Sequence, residues 1–273
     1  MHIGISANPF NERARSLSRE LLTRLKGEAE ISVAEESAAY LGTEGVPLER
    51  MQCDVLLSLG GDGSILHTLR RTDCPVLGIK AGTLGFLAEL DPDHDPMETA
   101  LKRLLQGDYF LETRMKVAVA LEDRALPDAV NEVVVHAPQV ARMRSFELAV
   151  NGEPVAHFRA DGLLVSTPTG STSYALSCGG PAIDPALDAI LVTALAPFAA
   201  AFRPLVIGPL REVSIRCAED ERPATLVVDG QDTAPLRPGA AVRVYRSARR
   251  ARLVRFSDRF FRNLRSKGIL PWG

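Results

Sequence analysis

The stretch from Asp54 to Leu69 constrains the fold most. Asp54-Val-Leu-Leu-Ser-Leu reads as a buried strand, it runs into Gly60-Gly61-Asp62-Gly63-Ser64, and Ile65, Leu66 and Leu69 then recur at helical spacing. The flanking segments repeat the theme. Ile3 to Ala7 predicts a strand closed by an Asn8-Pro9 turn, and Leu17, Leu21, Leu22 and Leu25 mark one face of a helix. Pro75 to Ile79 predicts the next strand, and Met97, Leu101, Leu104 and Leu105 a helix that stops at Gly107. Strands alternating with helices imply parallel pairing, so residues 1–110 are expected to form an open α/β domain.

Beyond residue 110 the pattern changes. Met115–Leu121, Ala129–Val135, Phe146–Val150, Leu163–Ser166, Val213–Ile215, Leu226–Val228 and Val242–Tyr245 are short strand candidates, and Asn151-Gly152 is a hairpin turn. The fold class expected is therefore α/β plus all-β, with residues 111–249 a β-sandwich-like domain. The segment 250–273 carries Phe256, Phe260, Phe261, Leu264, Leu270 and Trp272, and a tail so apolar is expected to return to the first domain.

Composition excludes several classes. With 273 residues, 46% of them hydrophobic, the chain can bury its own cores and is not a disordered one. A net charge of −2 argues against a nucleic-acid binder. The longest apolar run, Ala189 to Phe202, is broken by Thr193 and Pro197, so no membrane span is expected. Met1-His-Ile-Gly-Ile carries no secretory pattern. Cys53, Cys74, Cys178 and Cys217 are scattered, with no C-x-x-C pair, which predicts reduced thiols in a cytoplasmic protein and neither zinc nor a disulfide framework.

Three loops carry the candidate chemistry. The first is Gly60 to Ser64, where residues without Cβ bring backbone amides close to a ligand and the helix that follows adds its positive end. No Lys-Ser/Thr follows, so it is not a P-loop, and Leu66 stands where the dinucleotide fingerprint needs Gly. A carboxylate among these glycines suits a hydroxyl awaiting phosphorylation or a Mg²⁺ ion carried by phosphates; a helix cap in a tight turn is the plainer alternative. The second is Lys80-Ala-Gly-Thr-Leu-Gly-Phe86, after the next strand and so facing the same crevice. Lys80 and Arg70 are the candidate phosphate-binding cations, and Phe86 is either a base-stacking ring or core. The third is Arg159-Ala-Asp161 through Tyr174, a strand (Leu163 to Ser166) emptying into Thr167, Thr169, Ser171, Thr172 and Ser173, whose hydroxyls suit ribose or phosphate oxygens. Asn131-Glu132 is a polar pair at a strand mouth, and Asp229-Gly230-Gln231 is a tight turn first and a binding loop second. No histidine has the spacing of a nucleophilic triad.

Gly60-Gly-Asp-Gly-Ser64, the Gly78 to Leu87 loop, Asn131-Glu132, Ala160-Asp-Gly-Leu-Leu-Val-Ser-Thr-Pro-Thr-Gly-Ser-Thr-Ser-Tyr174 and Val228-Asp-Gly-Gln231 together resemble the NAD kinases over nearly the whole chain. Lipid kinases and phosphofructokinases share the G-G-D-G loop; the long Thr-Pro-Thr-Gly-Ser segment is far more specific. The resemblance implies ATP- or polyphosphate-dependent phosphorylation of the adenosine ribose 2′-hydroxyl of NAD, by a cytoplasmic homodimer or homotetramer that uses Mg²⁺ or another divalent ion. It implies that Asp62 accepts the hydroxyl proton and that Gly60, Gly61, Gly63, Ser64, Arg70 and Lys80 hold donor phosphates. Phe86 would lie against adenine and Asn131 and Glu132 against the adenosine. Asp161 and Ser173 would lie near nicotinamide, and Arg159, Thr169, Thr172, Tyr174, Ser177 and Gln231 would line the same cleft. Three positions depart from the family: Ser64 for the commoner Thr, Lys80 for Asn, and Ser173 for Ala. The competing readings are a lipid or sugar kinase with the same loop, a nicotinamide-dependent oxidoreductase, and a non-catalytic NAD sensor.

Overall fold

The computed structural model describes residues 1–82, 85–139, 142–198, 202–218 and 222–271. Two compact units emerge, Met1–Thr113 with Ala251–Gly273, and Arg114–Arg250.

The first unit alternates strand and helix: β1 (His2–Ala7), α1 (Glu12–Leu25), β2 (Glu30–Val33), α2 (Glu35–Leu41), β3 (Val55–Gly60), α3 (Asp62–Arg71), β4 (Val76–Lys80) and α4 (Met97–Leu105). The strands run parallel in the order β2-β1-β3-β4. From β1 the chain moves outward to β2 and then back to β3 on the other side. The crevice at the carboxyl ends of β1 and β3 is therefore the topological switch point, where open α/β sheets bind ligands. β3 is buried along its whole length. Ile3, Ile5, Leu57, Leu59, Leu77 and Ile79 form the core with Leu21 and Leu25 of α1 and Leu101 and Leu104 of α4. α1 starts where Asn11 accepts the Ala14 amide at 2.9 Å, an N-cap that follows the Asn8-Pro9 turn.

The tail is fastened to this unit by charge as well as by apolar packing. Arg255 is buried, donating to Glu112 at 2.6 Å and to the Leu87 carbonyl at 3.0 Å, with Glu89 at 3.3 Å. Glu89 also accepts the Phe256 amide at 2.9 Å. Val254 and Leu264 are buried and Phe256 is half-buried, whereas Phe261 and Leu270 are exposed and Trp272 lies outside the described residues. The apolar count alone does not separate these two groups, because the anchoring is done by Arg255.

Among its described residues the second unit is all-β apart from two short helical turns, Gly170–Thr172 and Tyr174–Ser177. Its strands are β5 (Phe110–Leu121), β6 (Arg124–Ala129), β7 (Glu132–His136), β8 (Arg144–Val150), β9 (Glu153–Ala160), β10 (Gly162–Ser166), β11 (Ile190–Leu195), β12 (Leu205–Ile207), β13 (Val213–Cys217), β14 (Ala224–Val228), β15 (Asp232–Leu236) and β16 (Ala241–Arg255), with α5 (Tyr174–Ser177) after β10. One antiparallel sheet has the order β12-β11-β10-β7-β14-β15; β16, β13, β8 and β9 pair antiparallel in a second. Val133, Val135, Leu163, Val165, Val192 and Leu226 from the first meet Phe146, Leu148, Val213, Ile215, Val242 and Val244 from the second in one buried core, which is a sandwich. Asn151 and Gly152 both have positive φ, 51° and 79°, and close the β8–β9 hairpin as expected. Asp229 and Gly230, at 50° and 66°, do the same between β14 and β15. The apolar run from Ala189 begins as β11, a buried strand inside the sheet. Ala129–Val135, expected as one strand, is two, interrupted at Val130-Asn131.

Candidate functional site

At the switch point of the first unit, Gly60 ends β3 and Asp62 opens α3. A Cβ on Gly60 would lie 2.5 Å from Ser64 Cβ and Oγ, so glycine lets the first turn of α3 sit directly on the strand end. Asn8, from the loop after β1, donates to Ser64 Oγ at 3.1 Å. The Ala81 amide donates to the Gly60 carbonyl at 2.9 Å, tying in the loop after β4. The carboxylate of Asp62 accepts the amides of Phe86 at 2.6 Å and Leu87 at 3.1 Å. A Cβ on Gly85 would fall 1.8 Å from that carboxylate, so the second loop is glycine where it passes over the acid. Thr83 and Leu84 of this loop lie outside the described residues. Phe86 has Lys267 Nζ 5.0 Å from its ring centroid, a cation–π contact from the tail.

The two candidate cations sit differently. Lys80 donates to Asp91 at 2.6 Å in a largely buried pair. Burial pushes the Asp91 carboxyl up, but the Lys80 hydrogen bond and the Asp93 amide outweigh it and hold the group below the ordinary range. Arg70 is buried near the far end of α3, about 12 Å along the helix axis from Asp62. It is not brought to the loop.

In the second unit the organising residue is Asp229, which in the sequence alone marks only a tight turn. Its carboxylate accepts three successive amides, Val130 at 2.8 Å, Asn131 at 2.8 Å and Glu132 at 2.9 Å. That capture breaks the expected strand before β7. Opposite it, the Thr167 hydroxyl donates to the Val130 carbonyl, its amide donates to the Asn131 carbonyl at 2.9 Å, and a Cβ on Gly170 would lie 2.1 Å from Asn131 O. Several hydroxyls of the Ser/Thr-rich loop are thus spent on its own shape: Ser171 donates to the Pro168 carbonyl at 2.6 Å and Thr172 to the Thr169 carbonyl at 3.2 Å.

A cavity of about 550 Å³ opens beside this frame, lined among others by Glu132, His136, Asp161, Tyr174, Ala196 and Gly230. Glu132 is buried. Desolvation, with the Asp229 carboxylate adding to it and a hydrogen bond from Ser173 opposing it, pushes its carboxyl up to about 8. At neutral pH it is therefore largely a neutral acid that can donate a hydrogen bond. Glu132 Oε2 and Asp161 Oδ1 are buried polar atoms with no hydrogen-bond partner among the described residues, the kind of vacancy that a polar ligand fills. Of the expected residues, Glu132, Asp161 and Tyr174 line this cavity, with Ser173 bonded to Glu132. Asn131 and Thr169 stand behind it as frame, Ser177 and Gln231 are exposed, and Arg159 is exposed on β9 opposite Ser145. His136 also lines the cavity; a lone histidine at a strand end carries no motif, so only the fold reveals its place there. Its Nδ1 lies 2.7 Å from the Ala137 carbonyl.

Among the described residues no group of three or more His, Cys, Asp or Glu side chains is placed to hold a metal ion, and no helix is long and apolar enough to cross a membrane.

Comparison with known proteins shows the family. The family model for the ATP-NAD kinase N-terminal domain matches residues 10–109, and that for the ATP-NAD kinase C-terminal domain matches residues 130–256. An NAD kinase of Thermococcus sibiricus is 40% identical over 270 residues, covering 96% of both chains. One from Methanosarcina mazei is 39% identical over 264 residues, covering 95% of this chain and 90% of its own. Among solved structures, an NAD kinase from Archaeoglobus fulgidus in complex with ATP matches with a TM-score of 0.76 at 28% identity over 98% of each chain. Yeast NADH kinase complexed with NADH shares the fold, with a TM-score of 0.90 at 24% identity, over 100% of this chain and 89% of that one.

Proposed function

The chain belongs to the NAD kinase family, and on that premise we propose how its residues divide the work of phosphorylating NAD to NADP. The donor end is the crevice around Gly60, Gly61, Gly63 and Ser64, where the start of α3 offers amide dipoles to phosphate oxygens. Asp62 holds the ribose 2′-hydroxyl and takes its proton as the new P–O bond forms. A carboxylate is a weak base for a sugar hydroxyl, but in a loose phosphoryl-transfer transition state the proton leaves late, so orientation matters more than basicity. The observation that carries this assignment is the Asp62 carboxylate standing at the switch point, latched by the Phe86 and Leu87 amides. Those two donors fix its direction without neutralising its charge.

The cavity of the second unit supplies the acceptor contacts. The protonated Glu132 and the Asp161 carboxylate, each with an oxygen awaiting a partner, suit the hydroxyls and amide of NAD. Asn131, Thr169, Thr172, Ser173 and Tyr174 complete or support that surface; in the first unit, beside Asp62, Phe86 offers a ring of the kind an adenine stacks on. Lys80 serves the donor loop by holding Asp91 and the end of β4. Mg²⁺ or a similar divalent ion would come with the phosphates of ATP and would neutralise their charge there. The four free thiols support a reducing, cytoplasmic setting. The exposed apolar side chains of Val206 and Leu210, at and beyond the edge strand β12, support self-association as a homodimer or homotetramer.

The test is direct. Purified protein is incubated with Mg²⁺ and NAD, with ATP in one arm and polyphosphate in another, and NADP is scored. NADP formation with ATP is the expected result; absence of NADP in both arms contradicts the reading.

A further inference from the structure

Cys53 lies just before β3 and Cys74 just before β4, two strands that pair in parallel with Leu56 beside Val76. Both cysteines therefore lie in the segments that lead into two neighbouring strands, at the same end of the sheet. The two thiols are within hydrogen-bond distance of one another. Cys74 is buried and donates to the Met51 carbonyl at 3.2 Å, while Cys53 is half-exposed. The Cys53 and Met51 sulfurs lodge against β1, where a Cβ on Gly4 would lie 3.0 Å from Cys53 Sγ and 2.7 Å from Met51 Sδ. This cluster is at the strand starts, the opposite end of the sheet from Asp62, and the phosphoryl transfer has no use for it.

We propose that Cys53 and Cys74 are a dithiol oxidation site, converted reversibly to a disulfide by a peroxide. One thiolate of the pair attacks a peroxide oxygen, the O–O bond breaks and hydroxide leaves, giving a sulfenic acid. The second thiol attacks that sulfur, the S–S bond forms, the S–O bond breaks, and the departing oxygen takes up protons as water. The pair loses two electrons and one peroxide becomes two waters. The surroundings favour the first step. The Cys53 thiol is the largest influence holding Cys74 down, to about 5; burial opposes it, and the Thr72 hydroxyl and the Arg252 guanidinium assist it. The bridge closes a loop that contains β3, Asp62 and α3, so oxidation staples the segment that carries the phosphoryl-transfer residues.

The experiment treats the full-length native protein with hydrogen peroxide and reads intact mass, thiol count and peptide map. Expected are a product two hydrogens lighter, a linked Cys53–Cys74 peptide, loss of two of the four thiols, and full reversal by dithiothreitol. The oxidised form should melt roughly 5–10 °C above the reduced form. Cys53→Ser, at a half-exposed position that tolerates the change, should abolish both the link and the shift. Oxygen addition at either sulfur without a link, links to Cys178 or Cys217, or an unchanged thiol count would each overturn the proposal.

Discussion

Among single residues, Glu132 makes the sharpest physical statement. Its ordinary value is 4.5 and its folded value about 8, because burial beside the Asp229 carboxylate disfavours charge. Between those two values the native state holds a proton that the unfolded state has released. Stability from this group is therefore complete below pH 4.5 and is lost as pH rises through 8. Glu132→Gln keeps the shape and the donor but cannot ionise. Its melting temperature should exceed that of the parent at pH 8.5 by more than it does at pH 5, with melting curves at the two values as the measurement. Parallel pH profiles for the two proteins would remove the protonated-acid role. The polar pair Asn131-Glu132 was legible in the sequence, but its protonation was not, since burial is a property of the fold. Asp229 shows the same limit. Asp-Gly announces a tight turn, whereas the three amides it captures come from a segment about a hundred residues earlier.

At the scale of elements, the loops after β3 and β4 work as one piece, joined by Asp62. Gly85→Ala would put a methyl group 1.8 Å from the Asp62 carboxylate, so the acid or the loop must move. A displacement near 1 Å of a positioned group typically costs about 100-fold, so kcat for NADP formation should fall by that order while the melting curve stays near wild type. A Gly85→Ala protein with wild-type kcat would show that the latch is unrelated to turnover. The strand–loop–helix around Asp62 was readable because apolar runs, glycines and helical periodicity all point the same way. β2, α2 and β9 were not, because β2 is only four residues long and β9 alternates half-exposed with exposed positions, leaving little apolar signal. The Ser/Thr-rich loop was legible as a site, yet the division of its hydroxyls between frame and cavity depends on contacts with Val130, Asn131 and Ile183.

For the whole molecule, the chain leaves its first unit to build the second and then returns. The return rests on Arg255, whose partner Glu89 has a side chain only 1% exposed. Burial pushes the Glu89 carboxyl up and Arg255 pulls it down, so removing the arginine leaves a buried acid with only Arg259, 3.9 Å away, and the Phe256 amide to hold its charge. Arg255→Leu should cost about 3–5 kcal/mol in denaturant unfolding of the first unit; a loss below about 1 kcal/mol would show that apolar packing alone holds the tail. The two-part architecture was legible from where helices give way to short strands, but the tail's anchor was not, since an arginine in a basic strand looks like any solvated one. The whole account turns on Asp62. The most direct test compares kcat for NADP formation by Asp62→Asn and wild-type protein, with ATP and NAD saturating and folding checked by circular dichroism. The account predicts a folded variant slower by about 10²–10⁴-fold; a folded variant turning over at the wild-type rate would contradict it.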